Sequence, residues 1–152
     1  MVLAALVVGA LEHKLVVARV RGRRVVKVLH SESVAVALAV DLRRRGSDGA
    51  LSPAALEASS KALTRFAVVA DKLGARMAGV ATACFRRAKN GTLHVKGIRK
   101  RLHADLRLVS QDQEGRLGFL TALAASDTPA HRLVSWDSGG GSFQIATDTH
   151  VY

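Results

Sequence analysis

The sequence predicts an α/β fold with a mixed sheet, and three observations carry that expectation. Short β-branched runs broken by glycine open the chain. From Ser52 onward the apolar residues fall into a helical period. Beyond that helix, strand-like and helix-like segments alternate, for an overall order of βββαβαβαββ.

The first three strands are predicted at 2–8 (VLAALVV), 14–20 (KLVVARV) and 25–30 (VVKVLH), with a turn-like GRR at 22–24. Three such runs in succession suggest an antiparallel meander. Residues 31–50 read either as a continuing strand and loop or as a short helix, with RRRGSDG at 43–49 as a solvated loop. Ser52 then caps a helix that has Pro53 at its first position. Leu56, Ser60, Leu63, Phe66, Ala67, Ala70 and Leu73 share one face of that helix, and Gly74 stops it. A buried strand is expected at 76–82, a short helix at 83–89 ending at Asn-Gly, and a basic helix at 92–103. A strand at 106–110 and a helix at 112–125 follow, with Asp112 favourable in the first helical turn. Strands at 131–137 and 142–147 close the pattern.

A length of 152 residues implies one domain with a single core. The 23 Lys and Arg residues outnumber 12 Asp and Glu, for a net charge of +11, which favours anionic partners. Genome composition is an alternative source of so many arginines. Aromatic residues are only 4% of the chain, against a single-strand binder that stacks bases. The basic stretch KGIRKRLH reads better as a solvated helix face than as a nucleic-acid site. One cysteine, Cys84, excludes an internal disulfide, and no paired-histidine metal motif occurs. The apolar N-terminal run lacks a basic leader and is closed early by Glu12, His13 and Lys14, so a cytoplasmic location is expected. No later apolar stretch is long enough to span a membrane.

The segment WDSGGGSFQI, 136–145, is where chemistry is expected. Triple glycine between two strands is costly unless something approaches the backbone closely. Bare backbone N–H groups at Gly139, Gly140 and Gly141, with the Ser142 hydroxyl, can form a concavity for phosphate oxygens. Asp137 repels phosphate directly but can hold a cation or water beside it.

VSWDSGGGSFQI resembles the second phosphate-binding loop of exopolyphosphatases and guanosine pentaphosphate phosphohydrolases, the Ppx/GppA family. VATACFRRAKNG at 80–91 is similar to that family's A-T-x-x-x-R-x-x-x-N-G segment. LVSQDQEGRLGFL at 108–120 is similar to its I-S-x-x-x-E-x-R-L segment. The resemblance implies a ribonuclease-H-like domain of the actin/Hsp70/sugar-kinase superfamily, a mixed sheet flanked by helices. It also implies that residues 1–152 form the N-terminal domain, with the usual C-terminal domain absent.

By the same resemblance Glu114 activates the attacking water, Arg86 faces the phosphate chain and Asp137 holds a metal, magnesium, or a water. Gly139, Gly140, Gly141, Ser142 and Gly9 contribute to phosphate binding. The family's first loop, D-x-G-S-N-S, aligns with VVGALE: Gly9 survives, but Val7 stands where the aspartate belongs. That loss is expected to weaken magnesium binding. Gln144 stands where many members have glutamate.

Two functional readings follow. One is a phosphoanhydride hydrolase acting on polyphosphate or guanosine pentaphosphate. The other is a degenerate domain that binds polyanions with little or no turnover. Glu114, Arg86 and the 137–142 loop are expected to converge because each follows a strand of one sheet, with the 9–12 turn opposite the glycines. Self-association is expected through the surface a second domain would cover.

Overall fold

The computed structural model describes residues 1–22, 24–45 and 49–152. Arg23 in the expected turn and 46–48 in the expected loop lie outside the described residues. The predicted meander is present. Strand β1 (Val2–Val8) pairs antiparallel with β2 (Glu12–Arg21), which pairs antiparallel with β3 (Arg24–Ala35). Side chains alternate along β1, so Ala4, Leu6 and Val8 enter the core while Ala5 and Val7 face away. Strand β3 lies at the edge of the sheet, and Val25, Val26 and Val28 on it are more than half exposed.

The 31–50 segment contains both alternatives in turn. Strand β3 runs on to Ala35, and helix α1 (Leu38–Arg44) follows, so Arg43 and Arg44 are helical rather than loop residues. Ala37 adopts a left-handed φ of 47° at the junction. The bend serves the neighbouring turn. Amides of Val36 and Ala37 both donate to the Leu11 carbonyl, at 2.8 and 3.0 Å, and Ala39 donates to Ala10 at 2.8 Å. The β1–β2 turn is thereby pinned from outside.

Helix α2 (Pro53–Lys72) starts where capping predicts: the Ser52 hydroxyl accepts from Ala55 N at 3.1 Å. Asp41 on α1 fixes that cap by accepting from both Ser52 N and Oγ. The buried face of α2 is rotated from the predicted one. Ser59, Ala62, Leu63, Phe66 and Ala70 are buried, Ser60 is only half-buried and Leu73 is exposed. Ser59 tolerates the interior because its hydroxyl meets His13 Nε2 at 2.8 Å.

Strand β4 (Arg76–Ala81) adds parallel to β1, with Leu6 opposite Gly79. Short helix α3 (Ala83–Arg87), helix α4 (Gly91–Leu102) and strand β5 (Asp105–Leu108) complete a sheet of order β3-β2-β1-β4-β5. Helices α2 and α4 cover one face. Between them and the strands lie Leu15, Val17, Leu63, Phe66, Phe85, Ile98 and Leu106. Each such side chain contributes about 1.5–3 kcal/mol by leaving water.

Helix α5 (Gln111–Ala124) begins with a full capping box between Ser110 and Gln113, with Asp112 and Glu114 in its first turn. The chain beyond it departs from expectation. A 3₁₀ turn occupies Ala130–Arg132, and strand β6 begins only at Ser135, ending at Ser138. Strand β7 (Phe143–Ala146) pairs with β6 as a two-stranded sheet apart from the main one, and its other edge bonds the chain end, Ile145 with Tyr152 and Ala146 with Val151. The glycine loop therefore does not follow a strand of the main sheet. It is carried by a hairpin packed on α5. One helix glycine allows that packing: a Cβ on Gly115 would press on Val151 and Gln144, while Gly118 faces Asp137 with room for an ordinary contact at 3.6 Å. Arg116 secures the far side by donating to the carbonyls of Thr147, Asp148 and Thr149.

Candidate functional site

Three tight turns meet at the C-terminal end of the parallel strands, where α/β sheets commonly hold ligands. The first is the β1–β2 turn. Gly9 N donates to Glu12 O at 3.2 Å, and a Cβ on Gly9 would stand 2.7 Å from that same oxygen. Gly9 thus shapes the turn, and its amide is already bonded within the chain.

The second is the glycine loop of the β6–β7 hairpin. Gly139 N donates to Ser142 O at 2.9 Å, closing the turn. None of Gly139, Gly140 and Gly141 adopts a positive φ, so backbone freedom is not why they are glycines. Close approach is. A Cβ on Gly140 would overlap the Leu11 side chain, and one on Gly141 would lie 3.1 Å from Ala10 and 3.4 Å from Ala83. The groups that come close to this backbone therefore include the first turn and the start of α3. The amides of Gly140 and Gly141 have no partner among the described residues.

The third is the β5–α5 junction, which places Glu114. One carboxylate oxygen, Oε2, accepts from Arg86 Nη1 at 2.7 Å, and the other, Oε1, accepts from the Ser142 hydroxyl at 3.4 Å. Arg86 Nη1 also donates to Val109 O at 2.8 Å. Both side chains of the ion pair are largely buried. Glu114 lines a cleft of about 380 Å³, together with Asp137, Gly140, Ser142, Leu11 and Thr82. Asp137 lies on exposed β6 with its carboxylate free of any partner among the described residues.

The predicted site residues thus come together, although Arg86 stands behind Glu114 rather than on the cleft wall. The 9–12 turn does lie opposite the glycines. The contact is closer than an open site would have, because Leu11 fills the space over Gly140. Glu12 also reaches the cleft, but its carboxylate is held by Lys14 at 2.7 Å and by the Ser33 hydroxyl. Those two partners keep its pKa below the ordinary value.

Among the described residues no group of three His, Cys, Asp or Glu is gathered to hold a metal. Val7 lines the cleft as an apolar residue. One free carboxylate suits a magnesium ion that draws its remaining ligands from phosphate oxygens and water, not a protein-enclosed cation.

Two residues of the 80–91 motif have structural roles the sequence alone did not expose. Asn90 donates from Nδ2 to Leu51 O at 2.8 Å and accepts from Leu51 N at 3.0 Å, tying α4 to the start of α2. Gly91 sits so close to the Phe85 carbonyl that any Cβ would overlap it. Together they hold the α3–α4 turn and so aim Arg86. The Asn-Gly dipeptide was a turn signal, but its partner Leu51 is far away in sequence.

Comparison with solved structures gives the same fold. The Aquifex aeolicus Ppx/GppA phosphatase, in its type II variant, superimposes with a TM-score of 0.79 at 22% identity, over 100% of this chain and 50% of that one. An exopolyphosphatase from Cytophaga hutchinsonii gives 0.82 at 21% identity, over 99% and 48%. The ethanolamine utilization protein EutJ from Carboxydothermus hydrogenoformans gives 0.54 at 15%, over 97% and 47%. The chain spans about half the length of these structures. The fold is the ribonuclease-H-like one expected, a mixed sheet flanked by helices. Comparison with curated protein sequences yields no match. The sequence matches the family model described as the Ppx/GppA phosphatase family over residues 16–150, and the chain belongs to that family.

Proposed function

We propose that this chain forms one wall of a phosphoanhydride hydrolase site of the exopolyphosphatase type. The observation that carries the reading is Glu114, held between Arg86 and Ser142 beside the unpartnered amides of Gly140 and Gly141. Those amides offer hydrogen bonds to the oxygens of a terminal phosphate. Glu114 orients a water for attack on phosphorus and accepts its proton. The bond from that water to phosphorus forms as the bridging oxygen departs with the shortened chain. Arg86 acts by fixing the carboxylate, and its charge lies close enough to favour the anionic substrate. Asp137 is the residue that would hold magnesium together with substrate oxygens. When bound, the ion would neutralise charge on the phosphates.

Substrates in this reading are inorganic polyphosphate or guanosine pentaphosphate. The test is phosphate release from linear polyphosphate with magnesium, comparing the wild type with Glu114→Gln. Loss of release in the variant is expected. Equal release by both proteins would overturn the assignment.

A second reading has its own support. Leu11 over Gly140 and Val7 in the cleft remove polar groups from the wall facing Asp137. A chain so altered would bind polyanions and turn them over weakly or not at all. Phosphate binding without release in the same assay would favour it.

Among the described residues no helix is long and apolar enough to cross a membrane.

A further inference from the structure

The glycine loop separates two clefts of opposite character. On one side is the cleft with Glu114 and Asp137. On the other is a cavity of about 510 Å³, walled by the same loop and by α1 and α3. Arg43, in the last turn of α1, and Arg87, in the last turn of α3, both line this second cavity. Neither guanidinium has a hydrogen bond or ion pair among the described residues. No carboxylate is among the lining residues described. Asp41, on the same helix as Arg43, is held by the Ser52 amide and hydroxyl. Cys84, at the base, is buried, and that burial pushes its thiol up to about 11, so it stays neutral at physiological pH.

Charge therefore changes sign across the loop. The free charge of the first cleft is the Asp137 carboxylate, while the second carries two free guanidinium groups. The two clefts share the loop residues 138–142. An anionic chain whose end lies at Glu114 crosses a loop whose residues 139–141 bear no side chain, and the one side chain seated over it, Leu11 against Gly140, is 46% exposed and can swing aside. Its next charges then fall beside guanidinium groups, which bind phosphate oxygens through paired N–H donors.

We propose that Arg43 and Arg87 form a second anion subsite, which takes the phosphates of a linear polyphosphate beyond the one held at Glu114. The proposal rests on the functional reading above for the direction of the chain. It selects long linear polyphosphate over short phosphoanhydrides. Arg86, the arginine of the family motif, is held behind Glu114, so these two neighbours supply the free positive charge.

The experiment measures binding of a long-chain polyphosphate and of pyrophosphate by calorimetry across a salt series, with phosphate release followed separately. The proteins are wild type, Arg43→Ala/Arg87→Ala, and a control with equal charge removed elsewhere, Arg99→Ala/Lys100→Ala on α4. The expected result is a loss of about ten- to a hundredfold in long-chain affinity for the first double variant, with pyrophosphate affinity unchanged. Its dependence of log affinity on log salt should fall by about one to two units, for up to two lost contacts. The α4 variant should keep near wild-type affinity. Equal losses in both double variants would mean diffuse attraction to a basic protein and would overturn the subsite. So would wild-type binding that is indifferent to chain length, or absent. Long-chain binding that depends on Arg43 and Arg87 without phosphate release would uphold the subsite and overturn hydrolysis instead.

Discussion

Arg86 and Glu114 meet at 2.7 Å across the sheet end, one from α3 and the other from the first turn of α5. The same Arg86 nitrogen reaches the Val109 carbonyl at the end of β5. One guanidinium thus joins three elements that converge only in the folded chain. Arg86→Ala leaves a largely buried carboxylate and a carbonyl without that donor, and should destabilise the fold by about 1–3 kcal/mol. Glu114→Gln keeps size and hydrogen bonding and should change stability by less than about 1 kcal/mol. In an active protein it should lower phosphate release by about 10²–10⁴-fold. Urea denaturation beside the release assay separates the two effects. A Glu114→Gln protein as unstable as Arg86→Ala would show that the carboxylate is structural.

The glycines near the site should not respond alike to alanine. At Gly91 a methyl group meets the Phe85 backbone carbonyl, which cannot move without shifting α3. Gly91→Ala should cost about 3 kcal/mol or more. At Gly140 the obstacle is the Leu11 side chain, which is 46% exposed and free to swing outward. Gly140→Ala should therefore cost about 1 kcal/mol or less. Melting temperatures of the two variants give the comparison, and a larger loss at Gly140 would contradict the packing described.

Buried His13 makes the fold acid-sensitive. Burial is the main cause that lowers its pKa to about 4, with the neighbouring His94 acting in the same direction. The unfolded chain binds a proton near pH 6.5, where the folded chain does not. Stability is therefore complete above about pH 6.5 and falls as the pH drops toward 4. The slope approaches about 1.4 kcal/mol per pH unit, for about 3 kcal/mol in all. His94, also lowered mainly by burial, adds to the slope in the same window. Urea midpoints between pH 7.5 and 4.5 should show this decline, and His13→Gln should flatten it. An unchanged slope in His13→Gln would assign the decline to other groups.

Edge strand β3 should promote association between molecules. It is 12 residues long, and Val25, Val26 and Val28 on it are exposed. A long apolar edge presents unpaired backbone groups to any similar strand. Sedimentation over a concentration series at moderate salt should show self-association. Val26→Lys should suppress it by adding charge to the edge. A monomer throughout the series would show that net charge outweighs the apolar edge.

The architecture was legible in the sequence wherever short-range pattern decides it. The β-branched runs, the Ser52-Pro53 cap and the stop at Gly74 marked the meander and α2 correctly. The rotated face of α2 was not legible, because Ser59 is buried through a bond to His13, 46 positions away. The start of β6 was displaced because Pro129 leads into a 3₁₀ turn that apolar spacing alone does not reveal. Independence of the β6–β7 hairpin was hidden for a similar reason. Hydrophobic alternation marks a strand but not the sheet it joins. Of the candidate site, the motifs picked out Glu114 and the glycines, which the fold brings to one cleft. They did not show that Arg86 is turned to Glu114, or that Leu11 rests on Gly140, since both are tertiary contacts.

The parallel pairing of β1 with β4 also orders events in time. Leu6 finds Gly79 only after the intervening chain has been gathered, whereas β1–β2 and β6–β7 are hairpins between near neighbours. Closing so long a loop carries an entropy cost that local hairpins do not face, and distant pairings form slowly. The meander and the terminal hairpin can therefore exist before the turns that hold Glu114 and Arg86 are brought level with them. A refolding chain would regain most of its strand signal early and its affinity for phosphate late. Any anion that binds the finished cleft would then slow unfolding and leave the folding rate nearly untouched.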